Sequence, residues 1–361
     1  VTAEPRIQRP PAEQLFADEL ARLTAADVLP RPPGWELSPT AVRAFVLGDP
    51  SRELARKFVG SPALVDRAMV SLATNRGLML IGEPGTAKSW LSELLAAAIS
   101  GISTLTIQGS AATTEDQIKY SWNYALLLAE GPSGRALVPA PVYLAMKRGK
   151  IVRFEEITRC PLEVQDALLS VLSDRVLAIP ELDGADGLLF ARDGFNLIGT
   201  ANTRDRGVNE MSAALKRRFN YETVFPIADL ATELELVRTE AARLLAASGV
   251  PEVPSDDVLD VLVTTFRELR SGETREGNPA DKLSTVLSTA EAVAVAHAIG
   301  VRAHYVARAP ATPADVIESM AGAAVKENAE DLVRLRRYLE QHVSTRPEPR
   351  WQALFAARHR L

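Results

Sequence analysis

Lys88 and Ser89 stand side by side directly after a glycine-bounded turn and at the head of a helix-compatible run that reaches Ala98. The stretch reads Gly82, Glu83, Pro84, Gly85, Thr86, Ala87, Lys88, Ser89 and Trp90, and the apolar run Leu78 to Ile81 before it has the character of a buried strand. Strand, glycine turn, Lys-Ser and helix together form a phosphate-binding loop. Gly82 and Gly85 let backbone N–H groups turn inward around a phosphate chain. Lys88 brings positive charge to β- and γ-phosphates, and the Ser89 hydroxyl is a ligand for Mg²⁺. The helix start adds its own partial positive charge. Ala87 occupies the position where the strict pattern has glycine, and the expectation is that it fits there with a negative φ.

A second set of residues suits the water and the metal. Residues 151–157 read Ile-Val-Arg-Phe-Glu-Glu-Ile, a strand ending in two acids. Glu155 would hold Mg²⁺ through water, and Glu156 would orient and polarise an attacking water. Glutamate at 155 is longer than the usual aspartate and would shift the ion or its waters, and Arg153 sits inside a run that ought to be buried. Arg159 is close enough in sequence to reach a glutamate or a neighbouring nucleotide, or it is a surface arginine at a helix start. Asn202 ends the next strand-like run, Phe195 to Asn202, where it would meet the γ-phosphate or the water, or cap the loop that follows. Residues 211–219 read as a helix ending Lys216, Arg217, Arg218, Phe219. Cations suit a helix C-terminus for dipole reasons alone. The functional alternative is an arginine finger donated to the next subunit.

These residues need a parallel α/β scaffold to bring them together. Ser103 to Gln108 reads as a short strand and Tyr221 to Pro226 as the last one, with a helix over 158–173 between. The runs at 124–128 and 135–138 flank a Gly/Pro turn and suggest a hairpin, and Val176 to Ala191 suggests a second around Asp183–Gly187. Upstream, a mobile start over residues 1–11 precedes amphipathic helices at 11–26, from Ser38 and from Ser61, which pack on the nucleotide domain by default. Downstream, helical spacing recurs over 228–245, 256–270 and 285–301, with two further helices within 312–343 and an Arg-rich end. The expected domains are 1–57, 58–227, 228–343 and a tail over 344–361.

Composition sets the bounds. A formal net charge of −5 gives no basic footprint for nucleic acid. Cys160 is the single cysteine, so no intramolecular disulfide forms, which fits a reducing, cytoplasmic setting. No membrane span or signal peptide is legible, and the four histidines lack metal-ligand spacing.

Taken in order, Gly82–Ser89, Phe154–Arg159, Gly199–Asn202 and Leu215–Phe219 resemble an AAA+ ATPase, with the MoxR family the most similar. The Ala87-Lys88 pair, the run Glu156 to Arg159 with Val164 and Gln165 downstream, and the two flanking hairpins carry that resemblance, which covers roughly residues 58–300. It implies a five-stranded parallel sheet sandwiched by helices, an all-α lid and a ring, usually hexameric. It also implies ATP and Mg²⁺ at subunit interfaces, and chaperone-like remodelling of partners, often with a von Willebrand factor A-domain protein. In its terms Gly82–Ser89 is the Walker A loop, Glu155 and Glu156 the Walker B acids, Asn202 the first sensor, Arg218 the finger and Arg217 the second choice. The run 281–288, where a second-sensor arginine is expected, offers only Lys282. A nucleotide-gated scaffold with little turnover is the alternative, motivated by Glu155 and the missing arginine, with a DNA-handling AAA+ protein behind it.

Overall fold

The computed structural model describes residues 7–202, 209–325 and 328–361; the expectation for the first six residues lies outside them. The chain divides into two compact units, Val1–Glu83 with Ala87–Val224, and Pro84–Thr86 with Phe225–Leu361.

The first unit opens with helices α1 (Ala12–Leu15), α2 (Ala17–Ala26), α3 (Pro39–Leu47) and α4 (Pro62–Leu72). The single helix expected over 11–26 breaks at Phe16, whose ring turns in to meet Phe45 at 5.7 Å and Trp90 at 6.2 Å. Ser38 caps α3 by accepting from the Ala41 N–H, with Pro39 in the first helical turn. The order then runs β1 (Gly77–Gly82), α5 (Lys88–Ser100), β2 (Thr106–Gln108), β3 (Tyr120–Trp122), α6 (Tyr124–Glu130), β4 (Leu137–Pro139), α7 (Pro141–Arg148) and β5 (Ile151–Glu155). It continues with α8 (Leu162–Asp166), α9 (Leu169–Ser173), β6 (Val176–Ala178), β7 (Leu188–Phe190), β8 (Asn196–Asn202), α10 (Ala213–Lys216) and β9 (Phe219–Val224).

Five of these strands make one parallel sheet in the order β2-β5-β8-β1-β9. Its two faces follow the period of two along each strand. Leu78, Leu80, Ile151 and Ile198 face the core shared with α3, α4 and α5, whereas Met79, Val152, Phe154 and Leu197 face the core shared with α7 and α9. The sheet is therefore sandwiched by helices, and burial on both sides explains the unbroken apolar run of β1. The N-terminal helices cover one face. Ala12 is fully buried, and its N–H donates to Glu93 Oε1 at 3.1 Å.

Several boundaries differ from those expected. The run at 124–128 is helix rather than strand: the Asn123 side chain caps it by accepting from the Leu126 N–H, and leucine and alanine favour helix over strand. The first hairpin is instead β3 with β4, and α6 rides within the connection. The second pairs β6 with β7 as expected. Glu181 fastens the two hairpins together, accepting from Tyr120 Oη at 2.9 Å and Trp122 Nε1 at 3.3 Å. Burial, then Glu181 itself, push the Tyr120 hydroxyl far up, so it stays a donor. The helix expected over 158–173 is split, because Cys160 precedes Pro161 and is extended, which confines α8 to the residues after it. The helix expected over 211–219 shrinks to α10, and the last strand starts at Phe219 rather than Tyr221. Phe219 must pair with Gly77 and bury its ring, so the helix ends before it.

The second unit contains α11 (Leu230–Ala247), α12 (Asp256–Ser271), α13 (Thr289–Val301), α14 (Asp315–Ala324), α15 (Ala329–Tyr338) and α16 (Pro349–Ala356) around one core. Residues 344–361, read from sequence as a tail, carry α16, whose Trp351 and Leu354 are fully buried in that core. Arg346 lies 4.3 Å from the Trp351 ring and pairs with the buried Glu268 at 2.7 Å. Lys282 stands outside any helix; α13 begins at Thr289 behind a capping box made by Ser288 and Glu291. Among the described residues no helix is long and apolar enough to cross a membrane.

A Trp351→Ala change is expected to cost about 3–5 kcal/mol of stability in denaturant unfolding of the full chain. A loose tail would lose less than about 0.5 kcal/mol.

Candidate active site

Parallel strands place their carboxyl ends together, and loops leaving that edge are where α/β proteins bind ligands. Here β1 ends at Gly82, β5 at Glu155 and β8 at Asn202. Gly82 lies directly opposite Asn202 in the β1–β8 register, and Phe154 opposite Gly199 in the neighbouring pair. The glycine that opens the loop, the acids and the first-sensor candidate are thus neighbours on one sheet edge.

The loop side is set by α5. Its first residue, Lys88, is buried, and its ammonium donates to the carbonyls of Gly82 at 3.1 Å and Glu83 at 2.7 Å. Those bonds hold the ammonium against the carbonyls at the end of β1. Ala87 does not take the negative φ expected of it. It is left-handed, with φ +66 and ψ +26, because the chain must turn sharply from loop into helix at that residue. An L-residue in that region costs about 1–2 kcal/mol, which glycine would avoid. Trp90 follows the loop directly in sequence, but its side chain leaves the site: the indole N–H donates to the Lys57 carbonyl at 2.9 Å and the ring meets Phe16.

The acid side is built around Glu155, which is buried. Its Oε2 accepts from Ser89 Oγ at 2.6 Å and Thr200 Oγ1 at 2.8 Å, and its Oε1 accepts from Ser92 Oγ at 2.8 Å and Arg153 Nη2 at 2.7 Å. The head of α5 and the acid are therefore in direct contact through Ser89. Ser92 and Thr200 escaped the sequence reading although their spacing held a signal. Ser92 is one helical turn beyond Ser89, and Thr200 shares the face of β8 that carries Asn202.

Glu156 is also left-handed, with φ +54, and its N–H donates to Thr200 Oγ1 at 2.9 Å. Two non-glycine residues in that region, Ala87 and Glu156, thus flank one site, which is where such strain tends to collect. Gly109 is required beside them, since a Cβ there would lie 2.3 Å from the Glu156 carbonyl oxygen. The Glu156 carboxylate pairs with Arg159 Nε at 2.8 Å, so Arg159 reaches the glutamate of its own chain. Arg218 donates to Ser173 Oγ at 2.8 Å and to the Ala214 carbonyl at 3.2 Å, whereas Arg217 is exposed.

The donor set fits Mg²⁺. Among the described residues there is no cluster of three or more histidine, cysteine or acidic side chains to cage a metal. One carboxylate and one serine hydroxyl in contact, all hard oxygen, is the arrangement for an ion that keeps waters and takes its remaining ligands from phosphates.

Comparison with known proteins gives consistent matches. The AAA domain (dynein-related subfamily) matches residues 77–219, and the YehL-like AAA+ ATPase C-terminal domain matches residues 231–361. The uncharacterized protein YehL of Escherichia coli (strain K12) is 63% identical over 355 residues, which is 98% of each chain. Among solved structures, NtrX from Brucella abortus in complex with ADP aligns with a TM-score of 0.50 at 14% identity, covering 83% of this chain and 64% of NtrX. That last likeness speaks to the fold alone.

An Ala87→Gly change is expected to keep nucleotide binding and to hold or raise the melting temperature, because relief of about 1–2 kcal/mol of strain outweighs the added freedom of the unfolded chain. A clear drop in melting temperature would contradict the strained geometry.

Proposed function

The chain belongs to the YehL-like AAA+ ATPases, and from that premise we propose that it hydrolyses ATP and uses the cycle to remodel or activate a partner protein. The supporting observation is the contact of Ser89 with Glu155, which joins phosphate loop and acid strand in one site. A lone phosphate loop would bind nucleotide. A loop whose serine touches a buried acid, with a second acid on the next residue, has the groups that hydrolysis needs.

In this reading the backbone of the loop and Lys88 bind the phosphates of ATP. Ser89 and Glu155 hold Mg²⁺, which when bound screens phosphate charge and polarises the oxygens it touches. Glu156 acts as general base toward water, and Asn202, beside Gly82, orients that water or the γ-phosphate. Leaving its pair with Arg159 would free the Glu156 carboxylate for that task. The resemblance to the MoxR family supports a ring, with six subunits as the working number, in which Arg217 or Arg218 of one subunit meets the nucleotide of the next. Arg217 is the more exposed of the two, while Arg218 has partners within its own chain. A von Willebrand factor A-domain protein is the partner class that same resemblance suggests.

The scaffold reading keeps one supporting observation. The start of α13, from Ser288 to Glu291, carries no cation that would serve as a second sensor. On that reading ATP gates assembly with little turnover.

Lys88→Ala is expected to abolish nucleotide binding, while Glu156→Gln should bind ATP yet lose turnover by roughly 100-fold or more. In a dilution series with mass followed by light scattering, specific activity should rise as the oligomer forms. Arg217→Ala or Arg218→Ala should then cost roughly 10³-fold in turnover with binding spared. Partner activation that persists in Glu156→Gln would favour the scaffold.

A further inference from the structure

Two oddities of the acid strand, glutamate where aspartate is usual and an arginine in a buried run, face the same way, two residues apart on β5. The structure joins them. Arg153 is 7% exposed and Glu155 is 6% exposed, and Arg153 Nη2 lies 2.7 Å from Glu155 Oε1. The guanidinium is itself held on every side. Its Nε donates to Ser92 Oγ at 2.9 Å, Nη1 to the Ser103 carbonyl at 3.2 Å, and Nη2 also to the Ser89 carbonyl at 2.9 Å. Behind it, Glu93 Oε2 stands 3.9 Å from Nη1. Glu93 is fixed in turn by Arg9 at 2.9 Å and by the backbone N–H of Ala12 at the start of α1.

This arrangement divides the labour of the two Glu155 oxygens. Oε1 is pinned from behind by Arg153 and Ser92, which leaves Oε2 turned toward Ser89 and Thr200. Aspartate is shorter by one C–C bond, about 1.5 Å. From the same backbone position it could satisfy the arginine or the loop serine, but not both. We propose that Arg153 is a positioning residue for the metal-site acid, and that Glu155 and Arg153 form a matched pair in which the extra methylene of glutamate is needed to span from the guanidinium to Ser89. Through Glu93, the N-terminal segment from Arg9 to Ala12 becomes the far support of that pair. The inference rests on the ATPase reading of the site.

The test measures the affinity of the full chain for a fluorescent ATP analogue, once with Mg²⁺ and once with EDTA, in wild type, Glu155→Asp, Arg153→Lys and the double variant. Wild type should bind more tightly with Mg²⁺. Although Glu155→Asp restores the usual residue, it should lose roughly 10- to 100-fold of that Mg²⁺-dependent gain, and Arg153→Lys likewise, with a much smaller change of affinity in EDTA. The double variant should be no worse than the poorer single one, since both break the same linkage. Both changes keep their charge, and melting followed by circular dichroism confirms folding. A merely structural ion pair would not separate the Mg²⁺ and EDTA affinities. The pair is overturned if Glu155→Asp matches or exceeds the wild-type Mg²⁺ gain, or if Arg153→Lys keeps it whole. A wild type whose binding ignores Mg²⁺ would instead overturn the ATPase reading, and the pair with it.

Discussion

A carboxylate buried at the end of a strand is costly unless every lone pair is answered, and breaking such a cluster by removing one partner typically costs several kcal/mol. Glu155 meets this constraint with donors from three elements: Ser89 and Ser92 from α5, Thr200 from β8 and Arg153 from its own strand. Helix α5 and strands β5 and β8 are therefore held together by one carboxylate. In the sheet β8 lies between β5 and β1, which sets Thr200 beside Glu155 and Asn202 opposite Gly82.

The same end of the sheet carries backbone strain. Ala87 and Glu156 both adopt the left-handed region, one where the loop turns into α5 and the other where β5 turns into the next 3₁₀ segment. Such conformations persist only where the surroundings over-determine them. Here α5 is sunk in the core beneath Ala87, and the Thr200 hydroxyl accepts the Glu156 N–H. The N-terminal helices contribute to that rigidity by covering one face of the sheet and reaching Glu93.

Much of this was legible in the residues themselves. The apolar run before Gly82, the acids after Phe154 and the strand ending at Asn202 all follow the alternation and turn chemistry that strands impose, and the sheet assembles them in the expected way. The residues that were not legible depend on contacts distant in sequence. Alanine at 87 implies a negative φ by residue type, which carries no record of the turn its neighbours force. Tyr124–Leu128 suggests a strand in sequence because a short apolar run has no period of its own, and the cap at Asn123, with the helix preference of leucine and alanine, tips it to helix. Residues 344–361 looked like a tail because their arginines dominate, yet Arg346 is paired with Glu268 and laid over Trp351. Ser92 and Thr200 have ordinary sequence neighbours and gain meaning only from the carboxylate they share.

In the proposed function, this end of the sheet directs water onto the terminal phosphate of ATP. It is tested most directly by turnover in ¹⁸O-enriched water, with the label followed by mass spectrometry in phosphate and in ADP, and Lys88→Ala run in parallel as background. Attack of water on the γ-phosphate places one ¹⁸O in the released phosphate and none in ADP. Phosphate release no greater than that of Lys88→Ala, by protein assembled with Mg²⁺ and ATP, or label appearing in ADP, would contradict it.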